Sequence, residues 1–274
     1  MSPGMQILIV VAMAVPLMSA GWLWQRRHHN AGIVDVLWAS GVGLAAVLIA
    51  LTGRGAATPR MLLAILGGLW AGRLALHIWQ RVRHAEEDGR YRALRAHWNG
   101  HQGKFYLFFM AQAGLVLLCS LPFIAVAANP VPGMTAWQWL GLLVWVVAVA
   151  GETLADRQLE AFRADPANHG HTCRLGLWRY SRHPNYFFEW IHWFAYVALA
   201  GSGHPTAWLA WSGPIVMFIF LRWISGIPYT EAQALRTRGE DYREYQRTTS
   251  MLVPWFPKPG STAARNEAKP GSER

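Results

Sequence analysis

The sequence predicts an all-α polytopic membrane protein of seven transmembrane helices, and three observations carry the prediction. Hydrophobic residues make up 53% of the 274 and charged residues only 15%, a balance low in charge for a soluble domain. The apolar residues gather into seven runs, 4–24, 31–52, 61–79, 105–128, 136–154, 186–201 and 206–225, most of them near the roughly 20 residues that cross a bilayer. The connections after runs one, three, five and seven hold 21 of the 25 Lys and Arg, those after runs two, four and six hold two, and Arg73 and Arg222 sit inside runs. That asymmetry puts the N-terminus outside and the C-terminus in the cytoplasm. The net charge of +10 is thus concentrated on one membrane face, where topology accounts for it, and no nucleic-acid partner is expected.

Taken in order, the first run ends Met18-Ser19-Ala20, which has a signal-peptide look. With no base ahead of it and Arg26 and Arg27 behind, an uncleaved helix is expected. The second run carries Asp35 about one turn in. A carboxylate there costs about 2.5 to 3.5 kcal/mol on insertion scales, so it should face a partner or a cavity. It can serve as a proton donor to a carbonyl, as a structural pair with Arg73, or as a cap for a neighbouring helix. In the third run Trp70, Arg73, His77 and Gln80 fall at spacings of three and four, a polar stripe on one helix face. Arg73 and His77 are candidates for an anionic ligand or for Asp35. The connection that follows contains Glu86-Glu87-Asp88-Gly89-Arg90-Tyr91-Arg92, whose spacing predicts a solvated helix with Glu87 beside Arg90 and Tyr91. Arg90 and Tyr91 remain open to a ligand.

Run four and the Pro-rich turn at 129–133 read as structural. Run five exits through Glu152, Asp156 and Glu160 at steps of four, carboxylates that repel unless they meet cations or donors. Glu160 fits an ordinary charged helix end, whereas Glu152 follows an unbroken apolar stretch. Residues 165–174 read as a loop in which His169 and His171 are too sparse for a metal site. Cys119 lies in an apolar run and Cys173 in a loop, so neither a disulfide nor a thiol-based metal site is expected.

The densest chemistry lies in Leu177-Trp178-Arg179-Tyr180-Ser181-Arg182-His183-Pro184-Asn185-Tyr186-Phe187-Phe188-Glu189. Pro184 suits the first turn of a helix, because its missing N–H would be unsatisfied there anyway. From that start Asn185 and Glu189 share a face, with His192 close to the same stripe. Run six is short for a bilayer unless the helix begins at His183 or the membrane thins. Helix-to-helix hydrogen bonding is the plain alternative for this polar face. Beyond run seven, residues 231–245 form an amphipathic helix interrupted at Gly239, carrying Arg236, Arg238, Asp241, Tyr242 and Tyr245. Leu252-Val253-Pro254-Trp255-Phe256-Pro257 then returns the chain to the membrane surface. A single membrane domain over 1–257 and a disordered tail over 258–274 are expected.

The polar helix ends and the arginine- and tyrosine-rich loops are all assigned to the cytoplasmic side. The expectation is a cofactor cavity built by those loops, floored by Asp35, Arg73, Glu152 and Glu189. No glycine-rich fingerprint follows a strand, and no nucleophile triad or zinc motif stands out. A phosphate-bearing cofactor held by scattered arginines, with an apolar substrate entering from the lipid, uses what is present.

Residues 176–189, the 152–163 segment ahead of them and the closing Glu240-Asp241-Tyr242-Arg243-Glu244-Tyr245 to Pro254 resemble the C-terminal region of the steroid 5-alpha-reductase family, especially its bacterial membrane relatives. The resemblance covers roughly the last 120 residues. It implies a bacterial inner-membrane protein, a monomer, in which NADPH delivers hydride to the β carbon of an enone such as a 3-keto-4-ene steroid. It further implies that Asn185 and Glu189 hold the nicotinamide end and that Asp156 and Arg163 hold ribose and phosphate. Tyr180, Arg182, His183, Arg238, Tyr242 and Tyr245 would line the same cleft, with Arg73 and Glu152 at its floor. Where the steroid enzymes place a Gln-Glu pair in the second span and a Tyr in the third, this chain offers Asp35 and Trp70. The catalytic donor is therefore expected at Asp35 or Tyr91. Isoprenylcysteine and phospholipid methyltransferases, which bind S-adenosylmethionine, also carry an Arg-His-Pro-x-Tyr turn and a late Glu, matched here by 182–186 and Glu231. A non-catalytic lipid-binding protein is the third expectation.

Overall fold

The computed structural model describes residues 1–84 and 86–259. Nine α-helices follow one another among them: α1 Pro3–His28, α2 Ile33–Thr52, α3 Ala57–His84, α4 Gly89–His97, α5 Gln102–Ala128, α6 Ala136–Ala164, α7 Pro184–Ala200, α8 Ser212–Ile219 and α9 Ile227–Thr248. No strand occurs among the described residues. Among the described residues six helical stretches are long and apolar enough to cross a membrane: α1, α2, α3, α5, α6 and the composite Ala207–Thr248. This makes the chain an all-helical integral membrane protein. The apolar part of the composite stretch comprises Ala207–Trp211, α8 and a wide π turn at Phe220–Ile224. The charged helix α9 lies beyond it. Run six folds as α7, only 17 residues long, and falls short of those six. Most of the expected tail lies outside the described residues, although the Lys258 N–H still donates to the Thr248 carbonyl at 2.8 Å.

The chain divides into two compact units, Met1–Leu143 with Phe194–Val216, and Val144–Trp193 with the chain from Met217 on. In the first, α2 is central and packs on α1, α3 and α5. Small residues allow its approach to α3. A Cβ on Gly43 would stand 2.4 Å from the Cβ of Ala71, and one on Gly67 would stand 2.7 Å from that of Ala46. Glycine here brings two backbones together where lipid supplies no hydrophobic drive. Polar side chains close the ends: Gln6 donates to the Ile49 carbonyl at 3.2 Å, and Asn129 to that of Leu199 at 2.9 Å.

In the second unit α7 starts at Pro184, with Phe187 N–H donating to the His183 carbonyl at 3.0 Å, so the proline occupies the first helical position as its chemistry requires. α6 and α7 meet closely, since a Cβ on Gly151 would stand 2.4 Å from the Phe188 ring. α9 is kinked at Gly239 (φ 54°), the position at which the sequence pattern breaks. Residues 250–258 fold back over the Arg-His-Pro turn. Arg182 N–H donates to the Ser250 carbonyl at 2.8 Å and Trp255 N–H to that of Tyr180 at 2.9 Å.

Candidate functional site

In the first unit a polar cluster stands at the start of α2. Asp35 accepts from the Tyr91 hydroxyl at 2.7 Å and from the Arg90 guanidinium at 3.2 Å. Both donors come from α4, which begins at Gly89 because Asp88 caps it, its carboxylate accepting from the Arg90 N–H at 2.9 Å. This corrects the sequence expectation for Glu87, which lies ahead of α4 rather than on it. Glu87 instead takes a bidentate pair from Arg95 at 2.7 and 3.1 Å and the Ala31 N–H at 2.8 Å. It thereby ties α4 to the N-terminal end of α2, which has no side-chain cap of its own, and brings Tyr91 and Asp35 together. Burial, and then the charge of Asp35, push the Tyr91 phenol well above its ordinary value, so it stays protonated as a donor. Arg73, the partner suggested by the sequence, lies on α3 beyond the buried Trp70, and the stripe emerges at the exposed His77 and Gln80.

The second unit gathers the groups expected at the nicotinamide end. Asn185 donates to Asp156 at 3.0 Å, bridging α7 to α6. Glu189 accepts from the Trp193 indole at 3.2 Å. Burial grades along the α6 carboxylates, from buried Glu152 through half-buried Asp156 to exposed Glu160, the order anticipated from their apolar surroundings. The loop before α7 is anchored to the same stretch of α6. Trp178 donates its indole N–H to the Ala155 carbonyl at 2.8 Å, and Leu177 N–H reaches the Gln158 amide oxygen at 2.9 Å. Gly176 (φ 54°) makes that possible, because a Cβ there would meet the Gln158 side chain at 2.4 Å.

Glu231, at the start of α9, is the hub of a second network in this unit. Its carboxylate accepts from Arg182 at 2.7 Å, Gln246 at 2.8 Å and the Tyr242 hydroxyl at 3.4 Å, and meets His183 Nε2 at 3.2 Å. Arg182 also donates to the Gln246 and Thr249 carbonyls at 2.8 and 3.0 Å, capping the C-terminus of α9. Burial pushes the His183 imidazole below its ordinary value despite Glu231. Burial alone would raise Glu231, but the bonds from His183, Arg182 and Gln246 hold it down at about 2. Tyr245 is buried at 1%, its hydroxyl against the Trp178 and Ser181 carbonyls. Tyr180 is more open and stands edge-on to Phe256. Arg182, His183, Tyr242 and Tyr245 therefore build the wall that holds the turn in shape. Sequence pattern alone marks Glu231 only as part of a turn-and-Glu pattern shared with methyltransferases, because its partners lie up to 49 residues away.

Arg163 and Arg238 also come together, lining one cavity of about 150 Å³ with Leu159, Phe162, Cys173 and residues 168–171. His169 and His171, read from sequence as loop residues, thus line this cavity. Among the described residues no group of three or more His, Cys, Asp or Glu could hold a metal.

The family model described as Protein of unknown function (DUF1295) matches residues 21–249. An uncharacterized protein of Schizosaccharomyces pombe is 29% identical over 189 residues, 58% of this chain and 54% of that protein. The chain thus spans about half the length of this curated relative. No solved structure matches.

Proposed function

The chain belongs to this family of unknown function, and from that premise and the chemistry of its two polar clusters we propose that it reduces the C=C bond of an enone in a lipophilic substrate with NADPH. The observation that carries the reading is the Tyr91 hydroxyl set at 2.7 Å on Asp35 beside Arg90, at the end of an apolar helix. Such a cluster is a proton-holding donor site for a carbonyl oxygen of a molecule that otherwise lies in lipid. We take α7 as a seventh, short span and the arginine-rich ends as cytoplasmic, by the positive-inside asymmetry.

The donor set of the second unit fits the cofactor. Asn185 supplies an amide, Glu152, Asp156 and Glu189 supply acceptors for hydroxyls and a carboxamide, and Arg163 supplies charge for phosphate. NADPH, when bound, supplies the hydride, two electrons going to the β carbon of the enone. Tyr91 turns its single proton from Asp35 to the carbonyl oxygen as negative charge grows there, and Arg90 stays on Asp35. A proton then reaches the α carbon, leaving a saturated ketone. The turn held by Glu231 keeps Asn185 in register with Asp156, and the apolar helices exclude water.

A second reading, an S-adenosylmethionine-dependent methyltransferase, draws on Arg182 and His183 both meeting Glu231. Against it stands the cavity of Arg163 and Arg238, lined by no carboxylate, which suits phosphate and not a sulfonium. Thermal unfolding of the purified chain with either cofactor tests the choice. A ligand at 100 times its Kd adds about 2.7 kcal/mol. NADPH should raise the midpoint and S-adenosylmethionine should not; the reverse would overturn the proposal.

A further inference from the structure

The cavity at the end of α6 holds more positive groups than the Arg163 contact uses. Its lining comes from three segments: Leu159, Phe162 and Arg163 of α6, residues 168–171 with Cys173 of the following loop, and Arg238 of α9. Two arginines and two histidines face it, with the Asn168 amide and the Cys173 thiol, which burial pushes above its ordinary value. No Asp or Glu lines it. Asp156 and Glu160 act on Arg163 from its own helix.

The loop is built rather than slack. Asp165 accepts from the Ala167 N–H at 2.9 Å, and Asn168 donates to the Phe162 carbonyl at 2.9 Å. At the other end, Asp241 accepts from the Thr172 N–H at 2.7 Å and from Arg174 at 2.9 Å, while Glu244 takes Arg174 at 3.3 Å. Asp241, beyond the Gly239 kink from Arg238, is thus engaged with the loop. His169 and His171 sit between these anchors, so an anion arriving there need not order the chain.

We propose that this cavity is a subsite for a phosphate monoester, held by Arg163, Arg238, His169 and His171, and that it reads the 2′-phosphate that separates NADPH from NADH. The inference rests on NADPH being the cofactor and adds which groups select it. A monoester carries about −1.5 to −2 charges at neutral pH with three acceptor oxygens, which matches arginine forks and ring N–H donors with no carboxylate in competition. The spacing agrees. Arg163 lies seven residues beyond Asp156 on α6, about 10 Å along a helix that rises 1.5 Å per residue, so the Asn185–Asp156 pair and the cavity are separate points along one helix, as the two ends of a dinucleotide require.

Binding of 2′,5′-ADP and of 5′-AMP to the full-length chain in detergent, followed by calorimetry, tests the assignment without any turnover. Wild type should prefer 2′,5′-ADP by at least tenfold. His171→Gln and Arg238→Ala should each weaken 2′,5′-ADP by roughly tenfold, the worth of one charge-assisted bond, and leave 5′-AMP unchanged. Equal affinity for the two nucleotides in wild type, or 2′,5′-ADP affinity indifferent to both variants, overturns the subsite. If 2′,5′-ADP binds as expected while no enone is reduced, the subsite stands and the reductase reading falls. If NADH drives enone reduction as well as NADPH does, the subsite falls and the reductase reading stands.

Discussion

Glu231→Ala should be among the most destabilising single changes in the second unit. The carboxylate and its partners are nearly enclosed: side-chain exposure is 15% for Glu231, 11% for Arg182 and 3% for His183. Removing one member of such a pair strands the other charge, at about 3 to 5 kcal/mol. Arg182 would keep the Gln246 and Thr249 carbonyls, so the lower end of that range is expected, still a large part of a typical total of about 5 to 15 kcal/mol. A double-mutant cycle with Arg182→Ala, read by thermal or denaturant unfolding in detergent, should return a coupling of about 1.5 kcal/mol or more. The pH dependence carries the same signature. His183 and Glu231 both have folded pKa values below their ordinary 6.5 and 4.5, so the unfolded chain binds their protons first as pH falls. Stability is therefore full above about 6.5, declines below it as His183 must be kept neutral, and declines again between about 4.5 and 2 as Glu231 must be kept ionised. Glu231→Ala should abolish the lower decline. A cost under about 1 kcal/mol, typical of an exposed pair, with an unchanged acid profile would refute the hub.

Three further outcomes are expected. Tyr91→Phe should lower enone turnover by about 10² to 10⁴, the usual worth of a positioned acid, with NADPH affinity unchanged, and Asp35→Asn should follow it; loss of cofactor binding instead would contradict the assignment. Gly176→Ala, which forces φ 54° on an L residue and sets a Cβ 2.4 Å from Gln158, should cost about 1 to 2 kcal/mol and lower the melting midpoint, whereas an unchanged midpoint would mean that Gln158 simply gives way. A reporter inserted at the exposed turn of Gly133 and another after Arg274 should report opposite faces of the membrane; the same face for both would end the seven-span arrangement.

What the sequence made legible was local. The start of α7 followed from the missing N–H of Pro184, the kink of α9 from Gly239, and the burial gradient from Glu152 to Glu160 from the apolar run ahead of them. Misreadings arose where distant groups decide. Glu87 sits at helical spacing from Arg90 and Tyr91, yet Asp88 competes successfully for the cap, leaving Glu87 to Arg95 and the Ala31 N–H, 56 residues from it in sequence. The 165–174 segment is the loop its composition predicts, but its anchoring is not legible, because the Asp241 carboxylate that accepts from the Thr172 N–H lies 69 residues further on. Asp35 found Arg90 and Tyr91 through α4, whose docking no periodicity could reveal. The span count was limited by α7, whose 17 residues carry both polar chemistry and an apolar face.

The most direct test of the proposed chemistry follows a labelled hydrogen. Purified full-length chain is incubated with NADPH deuterated at the nicotinamide C4 and a 3-keto-4-ene steroid, and the products are read by mass spectrometry and NMR. The account predicts deuterium at the β carbon of a saturated ketone, with one NADP⁺ formed per product and both formed about 10² to 10⁴ times more slowly in Tyr91→Phe. Methyl transfer from labelled S-adenosylmethionine, with no NADPH consumed across a panel of enones, would contradict it.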